Sequence, residues 1–374
     1  MLKMPHTSQS LDTLATITPS GHHCEFPLVS VVVPVLNEKE HLGLLLDDLL
    51  AQEFPSDGYE IVVVDGGSRD GTPELVTAYQ GRSRTPILLL SNLGRLSSAG
   101  RNLGVLNSRG EWIVFIDGHC RISSRRLLKD TVEVSQRTGA DCLCRPQPLT
   151  LEGNTWFQDV VARVRATFLA HGRGSTIYLS NYEGNVEPTS SGATYRRSVF
   201  TRAGMYDEQF DACEDVEFNY RVYRAGLSAY FDSRLAVCYR PRASVPALLK
   251  QTIRYGRGRF RFMRKHPDAI TFSQLAPALF LAALFVGTLA SWCWPPLRSV
   301  LLSPLIAYGA LVLSLSAWLA FHHGWRYLLA APWAYLTIHC GFGAGLLFEG
   351  ASFLLKRRPL RQAGAKACKQ FDIS

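Results

Sequence analysis

Charge is scarce in this chain, and the shortage is concentrated. Asp, Glu, Lys and Arg make up 19% of the 374 residues, below the ~25% usual for soluble domains. Residues 275–297 run for 23 positions without a charge, residues 299–321 for another 23, and residues 327–348 for 22. Each run reaches the ~20 residues that cross a bilayer as a helix. One such run could be a buried core helix; three in succession exclude an all-soluble chain. The first 26 residues lack the apolar core of a signal peptide and read as a loose polar tail. The nine cysteines lack the paired spacing of a zinc site, and free thiols are expected. There is no internal repeat and no nucleic-acid-binding module.

The positive charge that is present sits beside the apolar runs. The formal net charge is +9. Arg254, Arg257, Arg259, Arg261, Arg264 and Lys265 precede the first run, which puts the preceding domain on the cytoplasmic face of the plasma (inner) membrane. Lys356, Arg357, Arg358 and Arg361 follow the third run and prefer the same face. Three full crossings cannot satisfy both groups. The third run contains His339, Gly341, Gly343 and Gly345. Either it is re-entrant or interfacial, or the tail lies outside against the rule. The expected organisation is a tail at 1–26, a globular domain at 27–240, a basic amphipathic interface segment at 241–270, membrane helices within 271–355 and a basic tail at 356–374.

Within 27–240 the pattern is α/β. Short apolar runs at 28–35, 60–64, 87–90 and 112–116 read as strands buried on both faces. Helical patterns at 40–52, at 72 onward and at 97–107 alternate with them. Thr72-Pro73 is a good helix start, with Thr72 as cap. This alternation predicts a mostly parallel, doubly wound, Rossmann-like sheet. Beyond it, 154–170 reads as a helix, 172–185 as a Gly-rich loop, 191–200 as a strand, and 214–225 as a helix closed by Gly226.

Two of the strands stop at an aspartate. IVVVDGGSRDGT ends its apolar run at Asp65, and EWIVFIDGHCR at Asp117. Acids at the C-terminal ends of such strands sit where open α/β sheets bind ligands. Asp65 can accept from ribose hydroxyls or a base; the bland alternative is a solvated turn. PVLNE carries Pro34, Asn37 and Glu38 at the end of the first strand, either touching a nucleoside or making an ordinary capped turn. Arg101 and Asn102, in SSAGRNLG, offer a phosphate contact and a ribose or main-chain contact, or a surface charge and a cap. Asp117 and His119 share a side if the chain stays extended. Together they can hold Mg²⁺ or Mn²⁺ at a diphosphate, or His119 can be structural. Glu214 and Asp215 are adjacent acids at a helix start, where one can act as general base. The alternative is capping, with a Glu217–Arg221 pair. Gln251, Arg254 and Tyr255 share one helical face and suit a sugar or phosphate, or a membrane-surface helix.

In this order, VSVVVPVLNE, VVVDGGSRDGT, GRN, DGH, ED and QTIRY resemble the inverting family 2 glycosyltransferases of GT-A fold. The resemblance spans about residues 28–265. DGH, RYGRGR and the membrane tail are most similar to the succinoglycan-type exopolysaccharide glucosyltransferases. The resemblance implies that Asp65 and Pro34 to Glu38 bind the nucleoside of a nucleotide-sugar, a UDP-sugar foremost. It implies that Arg101 faces the nucleotide and that Asp117 holds a divalent metal. Asp215 would deprotonate the acceptor, supported by Glu214. Gln251, Arg254 and Tyr255 match the QxxRW position near acceptor and diphosphate. His119 stands where many members have Asp, and Tyr255 replaces Trp. The implied acceptor is a lipid-linked, polyprenyl-diphosphate saccharide. The rival readings are another nucleotide-sugar-using transferase and a membrane scaffold whose transferase domain has decayed.

Overall fold

The computed structural model describes residues 29–149, 153–171, 177–178, 181–293 and 295–356. The described residues begin with β1 (Val29–Val35), α1 (Lys39–Leu50), β2 (Tyr59–Asp65), α2 (Thr72–Gln80), β3 (Ile87–Ser91), α3 (Ser97–Asn107) and β4 (Trp112–Phe115). β5 (Cys120–Arg121), α4 (Leu127–Thr138), β6 (Cys142–Cys144), α5 (Trp156–Arg165), α6 (Phe168–His171), β7 (Glu183–Val186), β8 (Gly192–Arg196) and α7 (Ser198–Ala203) follow. Then come α8 (Glu214–Arg224), β9 (Ala229–Asp232), β10 (Cys238–Tyr239), α9 (Val245–Lys265), α10 (Phe272–Cys293), α11 (Arg298–His323) and α12 (Arg326–Lys356).

The main sheet has the order β3-β2-β1-β4-β8-β6-β9-β7. Its first half is parallel throughout. β8 then runs antiparallel to both β4 and β6, and β7 runs antiparallel to β9. The mostly parallel α/β sheet expected from the strand–helix alternation is present. The chain builds outward from β1 to β3 and then returns to place β4 on the other side of β1. That reversal opens a crevice at the C-terminal ends of β1 and β4, the switch point at which doubly wound sheets bind ligands.

The strand alternation divides the core. Val29, Val31 and Val33 pack with Leu42, Leu45 and Leu46 of α1 on one side. Val32, Val62 and Ile113 pack with Val105 of α3 and Phe218 of α8 on the other. This two-sided burial is why these strands show no polar alternation in the sequence.

Three local expectations change. Gly71, at φ 92°, is the cap of α2, and Thr72 is its first residue. The helix expected over 154–170 is two pieces, α5 and α6, parted at residues 166–167. The loop expected over 172–185 ends in β7, which pairs antiparallel with β9 from Glu183 onward and forms the edge of the sheet; residues 172–176 and 179–180 lie outside the described residues.

The apolar runs form α10, α11 and α12, each long and apolar enough to span a membrane. α12 is one unbroken helix through its glycines. It packs side by side with α9: a Cβ on Gly256 would lie 2.1 Å from the Phe342 carbonyl oxygen, and one on Gly345 would lie 2.1 Å from that of Ile253. Only glycine permits backbones this close.

Candidate active site

The crevice is a single cleft of about 2100 Å³. Its rim begins at the β1–α1 turn. Asn37 sits at φ 55°, a conformation Asn tolerates. The turn is stitched to the loop after β2. Asn37 N–H donates to Ser68 Oγ at 2.7 Å, Arg69 N–H to Asn37 Oδ1 at 2.9 Å, and Glu38 N–H to Thr72 Oγ1 at 3.0 Å. The two sequence motifs PVLNE and DGGSRDGT are thus one cross-braced wall.

Asp65 is buried in that wall. Its carboxylate accepts from the N–H groups of Gly67 at 2.9 Å and Ser68 at 3.0 Å. Gly66, rather than Asp65, lines the cleft.

Arg101 occupies the centre. It projects from α3, donates to Asp117 Oδ1 at 2.9 Å, and lies 3.6 Å from Glu214 Oε1. Its guanidinium stands 5.2 Å from the Phe115 ring centre and 5.8 Å from that of Tyr206, within cation–π range. Burial works against its charge, yet Asp117 first, then Tyr206, Glu214 and Asp215, more than reverse this and raise its pKa. Asp117 is the mirror case. Burial alone would push its carboxyl up, but Arg101, His119, Arg145 and Arg242 hold it below the ordinary carboxylate range. Asn102, expected beside Arg101 at the nucleotide, turns away. Its amide donates to the Tyr206 carbonyl and to Glu208 and accepts from Tyr206 N–H at 2.8 Å. It fastens α3 to the chain leading into α8.

His119 Nδ1 lies 3.0 Å from Glu38 Oε1, and its ring stands edge-on to Tyr239 with ring centres 4.9 Å apart. A carboxylate only accepts, so Nδ1 carries the proton, and in the neutral imidazole Nε2 keeps its lone pair. Nε2 is buried with no partner among the described residues.

The opposite wall is the start of α8. Cys213, at φ 62°, turns the chain so that Glu214 and Asp215 enter the cleft at a helix N-terminus. Glu214 is buried, and burial first, then Asp215, raises its pKa against the pull of Arg101. Asp215 is exposed to the cleft, and its Oδ1 accepts Val216 N–H at 2.9 Å. α9 closes the cleft on the side of the apolar helices. Gln251 donates to the Tyr239 hydroxyl at 2.8 Å, Arg254 donates to the Asp211 carbonyl, and Cys213 reaches the Tyr255 carbonyl.

The cleft therefore gathers Pro34, Asn37, Glu38, Arg101, Asp117, His119, Glu214, Asp215, Gln251, Arg254 and Tyr255. Asp65 and Asn102 stand behind its walls. Sequence reading missed Arg145. It is buried, with one hydrogen bond to the Phe115 carbonyl and with Nε and Nη1 unpartnered among the described residues; burial pushes its pKa down to about 10. The available signal was the one that marked Asp117: an ionised residue ending a short apolar strand, here CLC. The cleft also runs on toward the apolar helices, where Phe280, Tyr308 and Phe342 line it.

Residues 30–204 match the model of glycosyl transferase family 2. The chain carries a family 2 glycosyltransferase domain. It is similar to the succinoglycan biosynthesis protein ExoA of Rhizobium meliloti (strain 1021), with 29% identity over 86% of this chain and 95% of that one. It is similar to the glycosyltransferase AglE of Haloferax volcanii, with 28% identity over 63% of this chain and 74% of that one. Among solved structures, the mannosyltransferase PcManGT of Pyrobaculum calidifontis, in complex with GDP-Man and Mn²⁺, shares the fold at a TM-score of 0.54 and 20% identity, covering 85% of this chain and 87% of that one. The glycosyltransferase domain is thus of GT-A type, with its cleft at the switch point of the sheet.

Proposed function

We propose that this glycosyltransferase moves a sugar, with inversion, from a nucleotide-sugar, a UDP-sugar foremost, to a lipid-linked saccharide at the cytoplasmic membrane face. The observation that carries this reading is the continuity of the cleft. One end has Arg101, Asp117 and Asp215, and the other is lined by Phe280, Tyr308 and Phe342 of the apolar helices. An anionic donor suits the first end and a lipid-borne acceptor the second. A similar protein of Methanococcus voltae, 24% identical over 63% of this chain and 74% of its own length, is named for transfer to a dolichyl phosphate-linked sugar, which supports the same acceptor class.

A divalent cation fits the residues present. His119 has its Nδ1 proton held by Glu38 and offers Nε2, the carboxylate–histidine arrangement typical of metal ligands. Asp117 adds an anionic oxygen. No set of three His, Cys, Asp or Glu side chains surrounds the position among the described residues. The remaining ligands would be phosphate oxygens and water, as hard cations at nucleotides prefer. When bound, Mg²⁺ or Mn²⁺ supplies charge neutralisation at the diphosphate.

The residues then divide the work. Arg101, fixed between Asp117 and Glu214, places a permanent cation beside the diphosphate. Asp215, exposed where Glu214 is buried, takes the proton of the acceptor hydroxyl. The acceptor oxygen bonds to the anomeric carbon as the bond from that carbon to the phosphate oxygen breaks, and the nucleoside diphosphate leaves. One displacement inverts the centre. Gln251, Arg254 and Tyr255 flank the acceptor side.

Asp215→Asn tests this. Transfer should fall by at least ~10²–10⁴, the usual worth of a general base. Nucleotide affinity, read by calorimetry, should stay within a few-fold. Near-normal transfer would remove Asp215 from the mechanism, and loss of both readouts would point to a structural role.

A further inference from the structure

Three apolar helices invite a three-span topology, but the contacts of α12 argue otherwise. Its first turn lies on α5: the Tyr327 hydroxyl bonds to Asp159, and Arg163 Nε donates to that same hydroxyl at 3.1 Å. Midway, the Tyr335 hydroxyl donates to Thr167 at 3.0 Å, and His339 Nε2 reaches the Leu169 carbonyl at 3.0 Å. Near its end, Glu349 receives Arg257 and Arg261, each at 2.8 Å. From Tyr327 to Glu349 the helix advances roughly 33 Å at 1.5 Å per residue, as much as the ~30 Å apolar core of a bilayer. A crossing α12 would therefore place Asp159 and Arg163 on one side of the membrane and Arg257 and Arg261 on the other. All four belong to elements packed on the catalytic sheet domain or across its cleft, and a soluble domain cannot straddle a bilayer.

We propose that α12 does not cross: it lies along the membrane leaflet on the active-site side, and α10 and α11 form the one crossing hairpin. The outward face of α12 fits a lipid monolayer. Leu329, Trp333 (67% exposed), Leu336, Leu347, Leu354 and Leu355 (85% exposed) make an uncharged stripe along it. Glu349, its one formally charged residue between Tyr327 and Leu355, is turned to the catalytic side. Trp325, at the start, and Lys356, at the end, are residue types that anchor helices at the water–lipid boundary. This arrangement also resolves the charge conflict. Two crossings return the chain, so the arginines of α9 and the Lys356, Arg357, Arg358 and Arg361 cluster share the cytoplasmic face. The inference rests on membrane anchorage and not on the transfer reaction.

The test uses the full chain in a bacterial host. Green fluorescent protein or alkaline phosphatase is fused after Ser374. A membrane-impermeant maleimide is applied to intact and to permeabilised cells, and labelled peptides of the unmutated chain are mapped by mass spectrometry. The expected result is a fluorescent, phosphatase-inactive C-terminus, with Cys293, exposed at the end of α10, labelled in intact cells and Cys368 only after permeabilisation. An active phosphatase fusion, or Cys368 labelled in intact cells, would show that α12 crosses. Cys293 closed to the reagent until permeabilisation would show that the hairpin does not. None of these readouts depends on catalysis.

Discussion

At the scale of single residues, the buried charges of the site stand against charged neighbours, Arg101 against Asp117 and Glu214 and His119 against Glu38. Glu38 accepts the Nδ1 proton of His119, so any effect on the proposed metal would be exerted through the imidazole. Glu38→Gln should lower Mn²⁺ affinity by the ~10–100-fold typical of such outer partners, measured by the electron paramagnetic resonance signal of free Mn²⁺ in the presence of nucleoside diphosphate. Asp117→Ala should abolish the metal dependence of donor binding, and His119→Ala should weaken it less. Unchanged Mn²⁺ titrations in all three variants would place the cation elsewhere. That Asp117, His119 and Asp215 would face the cleft was legible in the sequence, because a polar residue at a strand end or helix start is a local signal. The bond from Glu38 to His119 was not, since 81 positions separate the two and only the β1–β4 adjacency joins them. Asn102 misled for the same reason: its partner Tyr206 is 104 positions away, and a lone Asn after an Arg looks the same whether it faces a ribose or a main chain.

At the scale of elements, α8 and α9 are clasped by a buried carboxylate. Glu217 lies 2.9 Å from both Arg221 and Lys265 and 3.0 Å from His266. Burial would raise its pKa, but Arg221 and then Lys265 prevail and lower it from 4.5 to about 2. A depressed carboxyl stabilises the fold above its unfolded value, and that contribution is lost as pH falls through the folded value. The shift corresponds to on the order of 3 kcal/mol, withdrawn between about pH 4.5 and pH 2. Apparent Tm of the detergent-purified protein should drop steeply across that window. In Glu217→Gln it should start lower and fall less, and parallel curves for the two proteins would contradict the clasp. The α9–α12 contact gives a second case. Gly345→Leu should cost at least the ~1–3 kcal/mol of overpacking, seen as a lower Tm. Gly309→Ala, where an added Cβ meets nothing within 4 Å, should hold or raise it. Equal effects would mean that the helices are not packed this closely. The β1 to β4 half was legible because strands buried on both faces leave unbroken apolar runs. The break between α5 and α6 was not: a continuous helical pattern ran through it, and it is tertiary docking, Thr167 to Tyr335 and Leu169 to His339, that fixes the two pieces.

At the scale of the whole molecule, a polar cleft at the switch point of the sheet opens onto apolar helices. Under the function proposed above, this juxtaposition would give the glycosyltransferase domain simultaneous access to a water-soluble donor and a membrane-borne acceptor. Neither half does this alone, and no single motif encodes it. Composition announced the apolar helices, but only the path of α12 across α5, α6 and α9 shows how they sit against the catalytic domain. The most direct measurement is transfer of radiolabelled sugar from a panel of UDP-, GDP- and dTDP-sugars to membrane lipid extract, by purified full-length protein with Mn²⁺, followed by organic extraction. One donor should carry label into the organic phase with the wild type and not with Asp215→Asn. Label that stays in the aqueous phase with every donor, or that reaches lipid equally in the variant, would contradict the account.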